Sequence, residues 1–430
     1  MLTREENDLL CRVEGDAPMG QMMRRHWLPA CLSEEVAEPD GNPVAVRLLG
    51  EDLVAFRDTE GRVGVMDRYC PHRRVSLVFG RNEDCGLRCL YHGWKMDVDG
   101  NVVEMPSESA QSCLAQKVKH KAYPVHEHGG FVWVYMGAAS TMPAFTPPPF
   151  APSPEARLAI VKIVVNCNWA QVLEGAIDSA HSSTLHSTDM APARVDSAKA
   201  TGSVWLRPTT DKAPRLVVET TDYGLKYAAV RRPIVNAASN DYVRISVFVA
   251  PCTVLIPPNN LYNVANINVP IDDTHTMFHF IAWTPTADGE VDQEGWRKFC
   301  HAQVGIDVDD AWRHVRTPED GYRQDRQAMK LGNFTGIPGI PNQDIVMWET
   351  MGPIADRTHD RLGASDLAIV EFRKVMVAAV QRFRDGGAPL GADVPRAQLR
   401  SFEGVVPKGT DWRTLGDTAP TQREMEHDPA

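Results

Sequence analysis

The chain has 430 residues and a formal net charge of −11, enough for two or three domains with buried cores and of the wrong sign for a nucleic-acid partner. Its longest apolar run, around Leu158–Val165, is interrupted by Lys162 and falls far short of the ~20 residues of a membrane span. The charged start MLTREENDLL lacks a signal-peptide core, so a cytoplasmic protein with no membrane partner is expected.

Nine scattered cysteines suit reduced thiols better than a disulfide framework. Cys11, Cys31, Cys113, Cys167, Cys252 and Cys300 read as small buried hydrophobes and Cys85 as structural. The first 26 residues read as one or two short helices. From Leu28 to about Gly137 short alternating segments with Gly and Asp punctuation predict an all-β domain of hairpins, including an Asp-Gly turn in MDVDGNVVEM.

Inside that block stand Cys70 and His72, then Cys89 and His92: C-x-H, sixteen intervening residues, and C-x-x-H. Two thiolates and two imidazoles on paired loops suit tetrahedral zinc or a Rieske-type [2Fe–2S] cluster, in which one iron takes both thiolates and the other both imidazoles. Zinc sites usually pair Cys with Cys and His with His along the chain. Here each loop mixes the two, so each can give one ligand to each iron.

A proline-dense linker, STMPAFTPPPFAPSPEA, follows. Beyond it come a strand (LAIVKIVV), a helix (NWAQVLEGAIDSAH), four further segments that read as an antiparallel sheet, and a long helix (SDLAIVEFRKVMVAAVQRFRDG) stopped by Gly386 and Gly387. Strands ending in a long helix indicate α+β. From about Ala388 an irregular surface-wrapping tail is expected. The domains expected are 1–26, 27–138, 139–390 and 391–430.

Asp178-x-x-His181-x-x-x-x-His186 forms a second constellation. Positions 178 and 181 share a helix face, whereas 186 lies ~140° from 181 at ~100° per residue, so the helix must bulge or end between the histidines. Two histidines with one carboxylate match the facial triad of mononuclear iron(II) oxygenases. Asp344, at an expected turn-to-helix junction, is favoured as the third ligand. Asp178 competes, and Asp356, Asp360 and Asp366 are alternatives with the look of caps or surface residues.

With CPHRR, CLYHGW, NWAQVLEGAIDSAHSSTLH and IPNQD in place, the chain resembles the Rieske non-haem iron aromatic-ring hydroxylases over nearly its whole length. MLTREENDLLCRVEG, VEMPSE and YVRISVFVAPCTVLIPPNN resemble the phthalate-oxidising branch. The resemblance implies a Rieske domain, a helix-grip catalytic domain, and trimers or stacked trimers. It implies that Cys70, His72, Cys89 and His92 hold a [2Fe–2S] cluster and that His181, His186 and Asp344 hold one Fe(II). Asp178 is then the bridge between His181 and a neighbour's His92.

The activity implied is cis-dihydroxylation of phthalate or a close aromatic carboxylate with O₂. Electrons come from a separate NADH-dependent reductase, because no Gly-rich dinucleotide fingerprint occurs here. A dianionic substrate needs paired receptors, a task that suits arginine forks. The resemblance favours Arg207 and Arg244, with Ser179 as a third contact. Arg231 and Arg232 compete, but adjacent residues of a strand cannot both point inward. Rival readings are a monooxygenase or O-demethylase on the same machinery, a non-catalytic Rieske electron carrier, and a structural zinc module.

Overall fold

The computed structural model describes residues 2–109, 111–197, 199–201, 204–258, 262–286 and 291–416. They form two compact units, one from 12–145 with 269–273, the other from the rest. Helices α1 (Arg4–Cys11) and α2 (Pro18–Met23) do not stay together as expected: α1 falls in the second unit and α2 in the first. The Val13–Asp16 connection breaks the helical pattern, and Val13 and Glu14 instead donate their backbone N–H groups to Asp273.

The first unit is built of small sheets. Trp27–Leu32, Phe131–Tyr135 and Val125–His128 make one. Val44–Leu48, Glu51–Arg57, Val63–Asp67 and Ala122–Tyr123 make another. Arg81–Glu83, Gly86–Arg88, Lys95–Met96 and Val102–Glu104 make a third, whose last hairpin turns at the expected Asp-Gly step with Gly100 at φ +78°. Phe56, Met66, Leu77, Leu87 and Met96 are buried beneath the metal-loop segments.

The second unit is α+β. Its sheet runs Arg157–Val165, Thr276–Thr284, Asn263–Pro270, Thr253–Ile256, Asn240–Val249, Gly224–Arg231 and Arg215–Thr220 in spatial order. The remaining helices are α3 (Trp169–Ile177), α4 (Gln293–Phe299), α5 (Arg326–Lys330), α6 (Ile340–Thr350) and α7 (Leu367–Arg384). Ala368, Phe372, Met376 and Val380 give α7 one buried stripe against the sheet, and Phe372 meets Phe248 edge-on at 5.1 Å. Gly386, at φ +90°, ends the helix. No helix among the described residues is long and apolar enough to cross a membrane.

The tail departs from expectation. Phe402–Pro407 pairs antiparallel with Asn240–Val249 and places Glu403 opposite Arg244. Thr253–Ile256 pairs only with residues 247–249 of that long strand, so residues 240–245 need another partner for their backbone groups, and the tail supplies it. Cys113 is exposed rather than buried.

Helix α3 begins at Asn168, whose side chain accepts from Ala170 N–H at 3.0 Å. Its Glu174 is buried and takes Arg357 and Arg373, each through Nε at 2.8 Å. Burial raises this carboxyl's pKa, but the two guanidiniums outweigh it and hold the group below the usual carboxylate range. The pairing is therefore intact at neutral pH and is lost only as pH falls through that lowered value. Glu174→Ala takes from buried Arg357 its carboxylate partner and leaves Arg373 with Asp360 alone, and is expected to destabilise the protein by about 3–5 kcal/mol, read by denaturant unfolding; a change below about 1 kcal/mol would show that the pairing is not structural.

Candidate active site

The two metal loops share one backbone pattern. Cys70 N–H donates to Val75 O and Arg74 N–H to Cys70 O, both at 2.9 Å. Cys89 N–H donates to Trp94 O at 2.8 Å and Gly93 N–H to Cys89 O at 3.0 Å. The fourth residue after each cysteine, Arg74 or Gly93, is left-handed, at φ +59° and +74°. Both cysteines are buried, with their sulfurs within hydrogen-bonding reach, and the His72 and His92 rings lie 4.4 Å apart.

Thiol thus meets thiol and imidazole meets imidazole. Burial, reinforced by Cys89, pushes the Cys70 thiol up to about 11, so its thiolate needs a cation. His92 Nδ1 is buried with no hydrogen-bond partner, as befits a ring nitrogen whose lone pair is meant for a metal. Trp94 stacks on His72 at 4.6 Å and 7°, a contact that sequence spacing alone did not reveal.

In the second unit α3 ends at Ile177, earlier than expected. Asp178 is its C-cap in extended conformation, and His181–Ser183 is a separate 3₁₀ turn. The break therefore precedes both histidines, because Asp178 Oδ1 accepts from Ala180 N–H at 2.7 Å and competes with helical bonding. Asp344 lies inside the start of α6, just past its first turn, rather than at its junction.

His181 Nε2, His186 Nε2 and Asp344 Oδ1 converge: 3.2 Å between the histidines, 3.5 Å and 3.2 Å from each to the carboxylate. Three donors bound at about 2.1 Å on adjacent corners stand roughly 3 Å apart, so this set fits a metal ion. The other aspartates are engaged elsewhere. Asp356 accepts from Thr358 N–H, Asp366 from Gly363 N–H, and Asp360 pairs with Arg373. Asp178 Oδ2 stands 3.4 Å from His181 Nδ1. Burial opposes charge on His181, but Asp178 and Asp344 outweigh it and push its pKa up.

A cavity opens beside the triad, lined among others by Ser179, Arg207, Arg244, Asn266, Phe278 and Phe280. Arg207 Nη1 donates to Ser182 Oγ at 3.0 Å, while its Nε is buried without a partner. Burial and Arg244 push the Arg207 guanidinium down to about 9, so a bound anion would relieve it. Arg244 donates to Tyr242 Oη and Pro257 O. Of the competing pair, Arg231 points inward and donates to Ser179 O at 2.7 Å, whereas Arg232 is exposed beside Asp211.

Residues 26–124 match the Rieske [2Fe-2S] domain and 134–429 the LigXa C-terminal domain-like family. The chain belongs to the Rieske oxygenases. It is 66% identical over 416 residues to the phthalate 4,5-dioxygenase oxygenase subunit of Pseudomonas putida, covering 96% of this chain and 94% of that one. It is 36% identical to the 3-chlorobenzoate-3,4-dioxygenase oxygenase subunit of Comamonas testosteroni, covering 96% and 97%. The terminal oxygenase of carbazole 1,9a-dioxygenase from Nocardioides aromaticivorans IC177 shares the fold, with a TM-score of 0.56 at 18% identity over 87% of this chain and 97% of that one.

In this Rieske oxygenase the triad depends on how closely α3 meets α6. A Cβ at Gly175 would lie 2.0 Å from Trp348 Nε1. Gly175→Ala therefore forces the helices apart, at about 1–3 kcal/mol for the overpacking. Cluster absorbance should stay unchanged while metal bound at the triad falls at least several-fold, counted by elemental analysis; full occupancy would refute the dependence.

Proposed function

We propose that this chain is the oxygenase component of a phthalate-oxidising system. Phthalate, O₂, NADH and a proton give the cis-4,5-dihydrodiol and NAD⁺, with electrons relayed by a separate reductase. Cys70, His72, Cys89 and His92 hold a [2Fe–2S] cluster, and His181, His186 and Asp344 hold one Fe(II). When bound, the two centres supply single-electron storage and O₂ activation. A cytoplasmic location and a trimer, or a hexamer of stacked trimers, complete the reading.

One observation carries the substrate class: two buried arginines, Arg207 and Arg244, line the same cavity as the three-donor set. Forked guanidiniums suit the two carboxylates of a benzene-1,2-dicarboxylate, and Ser179 stands beside them. With the acid groups held there, the ring edge is directed toward the triad. Phe278, Phe280 and Trp348 supply an apolar wall that keeps water from the reacting face. The overall charge of −11 repels a dianion, so the attraction must come from this local cluster.

Product analysis with a compatible reductase, NADH and a panel of benzene carboxylates tests the reading. A cis-dihydrodiol from phthalate supports it; demethylated or monohydroxylated products alone replace it with the monooxygenase reading. Arg244→Ala should raise KM for phthalate roughly 10–100-fold, the worth of one charge-assisted hydrogen bond, and far less for a neutral aromatic. Equal effects on both would remove the arginine clamp.

In this reading Asp178, 3.4 Å from His181 Nδ1, orients that imidazole and, in an assembled ring of copies, accepts from His92 of a neighbouring copy. A carboxylate shared by two metal-bound imidazoles gives a short bonded path for electrons. Asp178→Asn should leave both metals bound and slow single-turnover electron delivery roughly 10–100-fold; an unchanged rate excludes the bridge.

A further inference from the structure

We propose that Gln343 is a positioning residue that locks His186 in the tautomer able to bind metal, and that Asp189 holds Gln343 in the orientation this requires. The proposal rests on reading His181, His186 and Asp344 as a metal site. It follows from which atoms can donate. Gln343 Nε2 lies 2.8 Å from Asp189 Oδ2 and 2.9 Å from the Ile337 carbonyl oxygen. A carboxylate and a carbonyl only accept, so the amide NH₂ must face them and both its hydrogens are used.

Gln343 Oε1 is thereby turned to His186 Nδ1, at 2.7 Å. An amide oxygen only accepts, so Nδ1 carries the ring proton and the lone pair resides on Nε2. Nε2 is the atom that faces Asp344 and His181, each at 3.2 Å. The opposite tautomer would aim an N–H into the place where a metal must sit.

The lock is rigid. Gln343 and His186 are almost wholly buried. The neighbouring Asn342 donates through Nδ2 to Pro338 O and His301 O and accepts through Oδ1 from His314 Nε2 at 2.8 Å, which anchors the start of α6. Asp189 is tied at both ends of its peptide: its N–H donates to His186 O and its carbonyl accepts from Trp205 N–H. His181 differs, because its Nδ1 faces the carboxylate of Asp178. One histidine is thus supported by a charged acceptor and the other by a neutral amide, so the two ligands are unequal in basicity.

The test uses full-length protein with its cluster intact and the triad metal removed, dialysed to equilibrium against Co(II), with bound cobalt counted by elemental analysis. Gln343→Leu should weaken Co(II) binding roughly 10–100-fold with cluster absorbance unchanged. Asp189→Leu removes one of the two acceptors that hold the amide, the Ile337 carbonyl being the other, and should weaken binding about 3–10-fold, although Asp189 does not touch the imidazole. Combined with Gln343→Leu it should add nothing.

Asp189→Asn keeps an acceptor toward the amide through its own Oδ1. It should hold affinity to within about 3-fold of the unaltered protein, and it guards against a misfolded leucine variant. Additive losses, or an unchanged affinity in Asp189→Leu, would overturn the lock. His186→Ala separates the two levels: cobalt uptake that survives it refutes the metal site itself, whereas uptake that needs His186 but ignores Gln343 and Asp189 refutes only the lock.

Discussion

Gly175 has no side chain, and the indole of Trp348 occupies the space a methyl group would need. This contact sets how near α3 comes to α6, and the rest of the second unit depends on it. The segment that follows α3 carries Asp178, His181 and His186, and α6 carries Gln343 and Asp344. Bringing the two helices together therefore assembles three ligand atoms and the groups that orient two of them. Glu174, one residue before the glycine, fixes α3 from the other side through Arg357 and Arg373. A close apolar contact and a buried ion pair act on adjacent residues of one helix, so the helix has little freedom to slide.

Charge is organised on two scales. The whole chain is acidic, while the cavity wall concentrates guanidinium groups. Burial pushes Arg207 down to about 9 and Arg231 down to about 10, with Arg244 adding to both shifts. Cations crowded in this way gain when an anion enters, and the same crowding does nothing for a neutral ligand. Arg231 is engaged with the backbone of Ser179, so it adds positive potential while bracing the turn that leads to His181. Selectivity and positioning are in this sense served by one set of side chains.

The first unit solves a different problem, presenting two thiols and two imidazoles from separate loops. Matching hydrogen bonds in both loops give each cysteine the same backbone surroundings. Both loops reverse through a left-handed residue, and Gly93 also leaves room for Pro106, whose Cγ would lie 2.6 Å from an added Cβ. Trp94 then covers one face of His72. The ligand spacing itself is local and repeats in sequence, so it is readable without the fold.

What the sequence by itself determined lies within single turns or single elements. The pairing of Cys70 with His72 and Cys89 with His92, the sheet-forming segments, the glycine stop of α7 and the rule that Arg231 and Arg232 cannot both point inward all follow from a few residues of backbone geometry. Tertiary structure decided what depends on residues far apart. Asp344 came to His181 and His186 from a distant helix, and Phe402–Pro407 became a strand because a distant edge was open. Gln343 carried no signal of its own beyond its place beside Asp344. An amide's orientation is set by the donors and acceptors that packing brings around it, and no local spacing encodes those.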